Sequence, residues 1–138
     1  MAMLDPSLDG WKQRTLPGFI GAAGPLWTKR ELAGWAYGVL AEERHLNPAG
    51  IVHGGMLCTL LDHALSTIAW EANERKPCVT VAFDVQFVAP ASAGDFIVAR
   101  GDVVRRTSTL TFMRGVLTVD EASIATASAV LKRIQPGD

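Results

Sequence analysis

A loop that runs into an apolar helix carries the residues best suited to chemistry. The loop covers residues 47–55, and its Asn-Pro step disfavours helix at Asn47. At a helix start, the backbone N–H groups have no intrahelical partner and lie at the positive end of the helix dipole. Because Gly54 and Gly55 carry no Cβ, a ligand oxygen can approach these N–H groups closely. The stretch therefore predicts a site that binds a carbonyl oxygen or an oxyanion.

One carboxylate follows on the predicted helix. Apolar pairs recur every four residues across 56–70, which is a helical period with a wide apolar face. Asp62 lies on the other face of a segment that is too apolar for a surface helix, so a buried or half-buried carboxylate there needs a reason. It is either a catalytic base or nucleophile, or a structural group satisfied by the backbone, Thr59 or Ser66.

The spacing between the two features predicts the assembly. Gly54 and Asp62 are eight residues apart, which is about 12 Å along a helix that rises about 1.5 Å per residue. A carbonyl held at Gly54 is therefore out of reach of Asp62 in the same chain. If both act on one substrate, Asp62 comes from a second subunit with an antiparallel helix. We therefore expect a homodimer with two shared sites.

Length and composition exclude several classes of protein. The 138 residues suit a single domain, 1–138, in which residues 1–16 form an N-terminal extension with a short helix capped near Asp5 or Ser7. The net charge of −1 offers no electrostatic footprint for nucleic acid. No apolar run approaches the roughly 20 residues that span a bilayer, and the N-terminus lacks signal-peptide features, so we expect a cytoplasmic protein. Cys58 and Cys78 are expected to be buried free thiols.

The remaining patterns predict strands on both sides of the helix. We expect strands at 19–28, 31–41, 79–87, 96–104, 109–118 and 123–134, with a turn at 29–30. In residues 79–87 one face is predicted to carry Val79, Val81, Phe83, Val85 and Phe87. The order is a hairpin, one long helix and a four-strand meander. It predicts an α+β fold in which an antiparallel β-sheet wraps around one long central α-helix.

The chain also resembles a known family. His53-Gly54-Gly55, Asp62 nine residues after the histidine, Asn47 upstream and the strand meander resemble the hotdog-fold thioesterases, in particular the PaaI branch. The resemblance covers roughly residues 30 to 134. It implies a hotdog fold, hydrolysis of acyl-CoA thioesters without a metal or redox cofactor, and a homodimer that pairs into a homotetramer.

The resemblance also implies a role for each matching residue. The Gly54 N–H polarises the thioester carbonyl, Asn47 helps to hold that carbonyl, and His53 braces the loop. Asp62 of the partner subunit activates water or attacks directly. Thr80 helps to position the water.

The segment implied to lie along CoA is 105–110. It contains Arg105, Arg106, Thr107 and Ser108, and a solvated charged turn is the alternative interpretation. The chain departs from the family pattern in two places: residues 88–90 lack the usual basic residue before the proline, and Thr107 replaces a usual glycine.

Other chemistries fit the sequence less well. His53, Asp62 and His63 match no short-range metal-ligand spacing, and no Gly-x-Ser-x-Gly motif marks a serine hydrolase. His63 is expected to be a core or interface histidine, and His45 a solvated loop residue. A hotdog hydratase of enoyl-CoA would need its Asp nearer the loop. A non-catalytic protein that binds or senses acyl-CoA remains the alternative from another functional class.

Overall fold

The computed structural model of the chain describes residues 3–135. Its strands are β1 Lys12–Arg14, β2 Leu26–Glu31, β3 Gly34–Leu40, β4 Cys78–Phe87, β5 Phe96–Arg106, β6 Leu110–Val119 and β7 Ala122–Arg133. Its α-helices are α1 Gly18–Ala23 and α2 Gly54–Ala72, and short 3-10 helices lie at Pro6–Asp9 and Glu43–His45. Among these residues, no helix has the length and apolar character needed to cross a membrane.

One antiparallel sheet wraps around α2, as the sequence predicts. The strand order is β1-β2-β3-β5-β6-β7-β4, and α2 contacts each strand from β3 to β7. Leu61 and Leu65 of α2 are fully buried against the sheet. A Cβ at Gly101 of β5 would collide with Leu65, so the helix crosses the sheet where glycine allows close approach.

The helix ends are close to the predicted ones. α2 begins two residues before the predicted start because His53 caps it, with its side chain accepting the Gly55 N–H. It ends at Ala72, and the buried Asn73 then donates from Nδ2 to Ala69 O at 2.7 Å and to Thr111 Oγ1 at 3.0 Å. These bonds attach the end of the helix to β6.

The predicted four-strand meander is wrong. Of the four strands after α2, only β5, β6 and β7 follow one another in the sheet, whereas β4 pairs with β7 at the far edge and β5 pairs with β3. The physical reason is the helix: α2 carries the chain from β3 across the sheet to the opposite edge. The strands that follow β4 then fill the space between them.

The predicted face of β4 is also wrong in part. The register shifts between Thr80 and Ala82, so strict alternation does not hold along the strand. Phe83 and Val85 pack against the core, whereas the Val81 side chain is 54% exposed. The bulge leaves Thr80 facing α2.

The predicted strand at 19–28 is a helix followed by a strand. Residues 18–23 form α1, which the Gly24-Pro25 step terminates before β2 begins at Leu26. The turn therefore follows Glu31 instead of lying at 29–30. A short apolar, glycine-rich run has no period that separates the two structures, which explains the error.

The N-terminal extension contains the expected short helix and an unexpected strand. The 3-10 helix Pro6–Asp9 is capped by Asp5, whose Oδ1 accepts the Ser7 N–H at 3.0 Å. Strand β1 then pairs with β2. Cys58 and Cys78 are free thiols, as predicted, but both are half-buried and not fully buried as expected.

Candidate active site

The start of α2 presents one unpaired backbone donor. His53 Nδ1 accepts the Gly55 N–H at 2.8 Å, and His53 O accepts the Met56 N–H at 2.9 Å. The Gly54 N–H makes no hydrogen bond within residues 3–135. The predicted donor is therefore open to a ligand, at the positive end of the helix.

Phe87 lies beside this donor, although the sequence predicted it only as part of the apolar face of residues 79–87. A Cβ on Gly54 would lie 3.3 Å from Phe87 Cζ, so the aromatic ring is in contact distance of the glycine. The Phe87 side chain is 53% exposed at the end of β4. It forms an apolar wall next to the Gly54 N–H. In the folded chain, the pairing of β4 with β7 places the end of β4 next to the start of α2.

Asn47 shapes the loop with one end of its side chain. Its Oδ1 accepts the Ala49 N–H at 2.9 Å and the Ile51 N–H at 3.3 Å. Its Nδ2 group makes no hydrogen bond in the part of the chain that the structure describes. The amide therefore keeps donor capacity for a ligand while its oxygen holds the loop closed.

His45 is buried, contrary to the expectation of a solvated loop residue. Its side chain is 5% exposed, and Nδ1 accepts the Glu42 N–H at 3.0 Å. The Nε2–H therefore donates to Ala23 O at 2.6 Å. His45 O in turn accepts the His53 N–H at 2.8 Å. Two histidines thus attach the loop before α2 to the rest of the fold.

Asp62 and Thr80 form a second group of polar side chains. The Thr80 hydroxyl donates to Asp62 Oδ1 at 2.7 Å, and Ser66 Oγ lies 3.5 Å from Thr80 Oγ1. All three residues are half-buried, between α2 and β4. Asp62 Oδ2 accepts no hydrogen bond from residues 3–135. One carboxylate oxygen is thus held by threonine and the other is available.

His63 takes no part in this group. Its ring packs edge-on against Tyr37 of β3, with ring centroids 5.9 Å apart. Burial lowers the pKa of His63, and the Asp62 charge opposes that shift. The lowered pKa favours the neutral imidazole, which is half-buried and makes no hydrogen bond to Asp62 among the described residues, so the place of His63 at an interface stays a prediction.

Two further groups near α2 are held in their neutral forms. Burial raises the pKa of the Cys58 thiol, and the Asp62 charge raises it further, so Cys58 is not a thiolate nucleophile. Burial also raises the pKa of Tyr37 to about 12, with an added contribution from Glu71. Neither group is suited to base chemistry at neutral pH, which leaves the Asp62 carboxylate as the candidate on this part of the helix.

The predicted CoA segment lies on strand and turn. Arg105 and Arg106 are the last residues of β5, paired with Phe112 and Thr111, and not part of a loop as predicted. Thr107 closes the turn, with its Oγ1 accepting the Leu110 N–H at 3.0 Å. Ser108 is exposed in the same turn. Both guanidinium groups are exposed and form no ion pair within residues 3–135.

The structure brings the predicted residues into separate groups. His53 and Gly54 lie at the start of α2, with Asn47 in the loop before it, and Asp62 meets Thr80 near the middle of the helix. Along the helix the two groups are about 12 Å apart. Residues 3–135 contain no group of three or more potential His, Cys, Asp or Glu metal ligands. One chain therefore presents two parts of a site that do not reach each other.

Comparison with known protein families shows which family this chain belongs to. The family model described as "Thioesterase superfamily" matches residues 49–125, which include Gly54, Asp62 and Thr80. The chain belongs to the thioesterase superfamily.

Individual relatives of this superfamily agree. Human acyl-coenzyme A thioesterase 13 is 39% identical over 72 residues, which are 51% of this chain and 51% of that protein. The mouse protein of the same name is 38% identical over 72 residues. The chain thus spans about half the length of the curated relatives it matches.

Solved structures confirm the predicted hotdog fold. Zebra fish thioesterase superfamily member 2 has a TM-score of 0.74 and 26% identity, covering 86% of this chain and 88% of that one. A mutant of phenylacetic acid degradation protein PaaI from Thermus thermophilus has a TM-score of 0.72 and 23% identity, covering 83% and 97%. At that lower identity, the likeness concerns the fold.

Proposed function

We propose that this thioesterase-superfamily chain hydrolyses acyl-CoA thioesters to a free acid and CoA. The observation that carries the proposal is the unpaired Gly54 N–H at the start of α2, combined with the Thr80-held carboxylate of Asp62 further along the helix. The first is suited to polarise a carbonyl, and the second is suited to take a proton from water. The names of the human and mouse relatives support acyl-CoA as the substrate class.

The proposed active site is shared between two subunits. Asp62 is too far from Gly54 in its own chain, so the carboxylate is supplied by the partner subunit. Strand β4 offers the interface, because it lies at the sheet edge and its Val79 and Val81 side chains are 44% and 54% exposed. Antiparallel pairing of two β4 strands about a two-fold axis sets two α2 helices antiparallel. A dimer of dimers is the larger assembly that we expect.

In the proposed reaction, the thioester carbonyl accepts hydrogen bonds from the Gly54 N–H and Asn47 Nδ2. Asp62 of the partner subunit takes a proton from water as the water oxygen attacks the carbonyl carbon. The oxyanion of the tetrahedral intermediate is stabilised by the same donors and the helix dipole. The C–S bond then breaks, and the proton passes to the CoA sulfur.

A covalent route uses the same groups. Asp62 attacks the carbonyl carbon itself, CoA leaves as the thiolate, and water opens the resulting anhydride. A single turnover in H₂¹⁸O tests the covalent route, because water that opens the anhydride at the Asp62 carbonyl leaves label on the enzyme. In the direct route, and also when water attacks the acyl carbonyl of the anhydride, the label enters the product acid.

The CoA moiety is proposed to lie along the end of β5. Arg105 and Arg106 present exposed guanidinium groups without carboxylate partners in residues 3–135, and Arg is suited to contact phosphate through paired N–H donors. Thr107 and Ser108 add hydroxyl groups in the adjoining turn.

The test is CoA release from a panel of aryl-, medium-chain and branched acyl-CoA esters, with detection of the free thiol. Asp62→Ala is expected to remove nearly all turnover. Asp9→Ala is the matched control, because Asp9 is exposed in the N-terminal 3-10 helix, outside α2 and β4, and its carboxylate forms no hydrogen bond or ion pair within residues 3–135. Retained turnover in Asp62→Ala contradicts the proposal. If the wild type binds the esters but releases no CoA, the protein is instead a non-catalytic acyl-CoA binder.

Subunit mixing tests the shared site directly. Gly54→Pro deletes the donor at the first helical position, which tolerates proline, and His53 already has the extended conformation that a following proline requires, with φ −59 and ψ 132. Each of the Gly54→Pro and Asp62→Ala proteins is expected to be inactive alone. Refolded together, they should recover about a quarter of wild-type activity, because half of the dimers contain one intact site of two. No recovery contradicts a shared site.

A further inference from the structure

The sheet opens between β3 and β5. These strands pair only from Tyr37 to Leu40 and from Phe96 to Ala99. Beyond that point β3 continues its pairing with β2, and β5 continues its pairing with β6. A cavity of about 550 Å³ fills the opening, and this volume is within the range of small-molecule sites, roughly 300–1,000 Å³. We call it the β3–β5 cavity.

The β3–β5 cavity is separate from the candidate active site. None of Asn47, His53, Gly54, Asp62, Thr80 or residues 105–108 lines it, and α2 contributes Ile68 and Glu71 to its wall. Asp62 faces β4 through its hydrogen bond with Thr80, whereas Tyr37, which lines the cavity, packs against His63. The helix therefore lies between the cavity and the Asp62 carboxylate.

One part of the cavity wall is apolar and aromatic. Trp35 and Tyr37 of β3 meet Ile68 of α2 and Val116 of β6 there. Tyr37 is 4% exposed, and the other three are half-buried. Two aromatic side chains and two branched ones suit a flat apolar body more than a hydrated polar one.

An internal ion pair neutralises two of the charged residues. Arg100 Nε and Nη2 donate to the two Glu31 carboxylate oxygens, both at 2.8 Å, and link β2 to β5 beside the opening. Glu71 has its own cation, Arg75, at 3.5 Å. Glu31, Arg100 and Glu71 border the β3–β5 cavity. Because each already has a partner of opposite charge, they do not determine whether the cavity favours an anion or a cation.

The remaining charges favour an anion. Arg30 and Arg114 line the cavity and form no ion pair within residues 3–135, against one carboxylate, Asp102, that is also unpaired there. The Arg30 guanidinium lies over the Trp35 ring, 5.5 Å from its centroid. That contact holds one cation next to the aromatic wall.

We propose that the β3–β5 cavity binds a small aromatic carboxylate, with its ring against Trp35 and Ile68 and its carboxylate at the guanidinium groups of Arg30 and Arg114. Guanidinium groups recognise carboxylates through paired, charge-assisted hydrogen bonds. This binding does not depend on the proposed thioesterase activity, because the cavity and the catalytic carboxylate lie on different sides of α2.

The test uses 2-naphthoate as the probe and 2-naphthalenemethanol as its neutral analogue of similar shape. In ¹⁵N NMR titrations of the full chain, 2-naphthoate is expected to shift amides of residues 30–37, 100–102 and 114–116. It should bind roughly tenfold more tightly than the alcohol, which corresponds to one hydrogen bond to a charged group. Equal affinities, or shifts confined to residues 47–55, overturn the proposal.

Variants separate charge from shape. Arg30→Gln with Arg114→Gln should weaken 2-naphthoate roughly tenfold and leave the alcohol unchanged. Lys132→Gln removes an exposed cation outside the cavity and should change neither. Ala33→Trp, at an exposed lining position, should fill the space and weaken both probes. If the double variant or Ala33→Trp, folded as judged by circular dichroism, binds 2-naphthoate like the wild type, the proposal is wrong.

Discussion

The ring of His53 holds a position that many helices fill with Ser, Thr, Asp or Asn. By accepting the Gly55 N–H at 2.8 Å, it satisfies one donor of the first turn and leaves the Gly54 N–H beside it without a partner among residues 3–135. A cap that accepted the Gly54 N–H would remove the donor on which the proposed reaction depends. His53 therefore stabilises the first turn of the helix through Gly55, and the N–H of the neighbouring Gly54 stays available to bind a ligand.

Phe87 is expected to strengthen the hydrogen bond from the Gly54 N–H to the substrate carbonyl. Its ring lies 3.3 Å from the Cβ position of Gly54, and an apolar wall excludes water from a hydrogen bond and so strengthens it. Phe87→Ala should lower kcat/KM for CoA release about fivefold, which corresponds to about 1 kcal/mol. Val88→Ala is the control, because Val88 is the residue after Phe87 and is 59% exposed. Equal effects of the two substitutions would show that Phe87 has no special role.

At the scale of elements, the Glu31–Arg100 ion pair joins β2 to β5 where the sheet opens. The hydrogen bond from Arg100 holds the pKa of Glu31 below its ordinary value of 4.5. Because the folded-state pKa is depressed, the stabilisation is present above the unfolded-state pKa and is lost as the pH falls through the folded-state pKa. Glu31→Gln should therefore lower Tm at pH 7, and the difference from wild type should shrink below about pH 4.5.

Thermal denaturation monitored by circular dichroism measures this difference between pH 3 and pH 8. Glu43→Gln is the matched control, because Glu43 is exposed and forms no ion pair among the described residues. A Glu31→Gln difference that stayed constant with pH would rule out the ion pair as its source.

The sequence predicted the elements better than their arrangement. α2 was predictable because its apolar period covers many residues, and Gly54 and Asp62 could be related because both lie on it. The position of β4 was not, because strand pairing across a sheet depends on contacts distant in sequence. Phe87 was missed for the same reason. The bulge after Thr80 also left no signal, since the alternation of residues 79–87 is unbroken in the sequence.

Across the whole molecule, a two-fold axis beside β4 would explain both why the site residues fall into two groups and why the edge of β4 is open. Gly54 lies at the start of α2, with Asn47 in the loop before it, and the Asp62 and Thr80 side chains meet between α2 and β4. β4 has no neighbour on its outer side within residues 3–135. A two-fold axis beside β4 would supply each open donor with a carboxylate from the other chain and would also cover the unpaired strand edge.

Charge placed on β4 should therefore separate the subunits and stop the reaction together. Val79→Lys with Val81→Lys adds two cations at side chains that are 44% and 54% exposed, and charged residues on an edge strand suppress its pairing with another chain. Light scattering after size exclusion should show a monomer, and CoA release should fall in parallel with the fraction of dimer. Leu32→Lys, at a fully exposed position after β2, is the control and should keep both the dimer and the activity. A folded double variant that remains dimeric would place the interface elsewhere, and a monomer that keeps full activity would contradict the shared site.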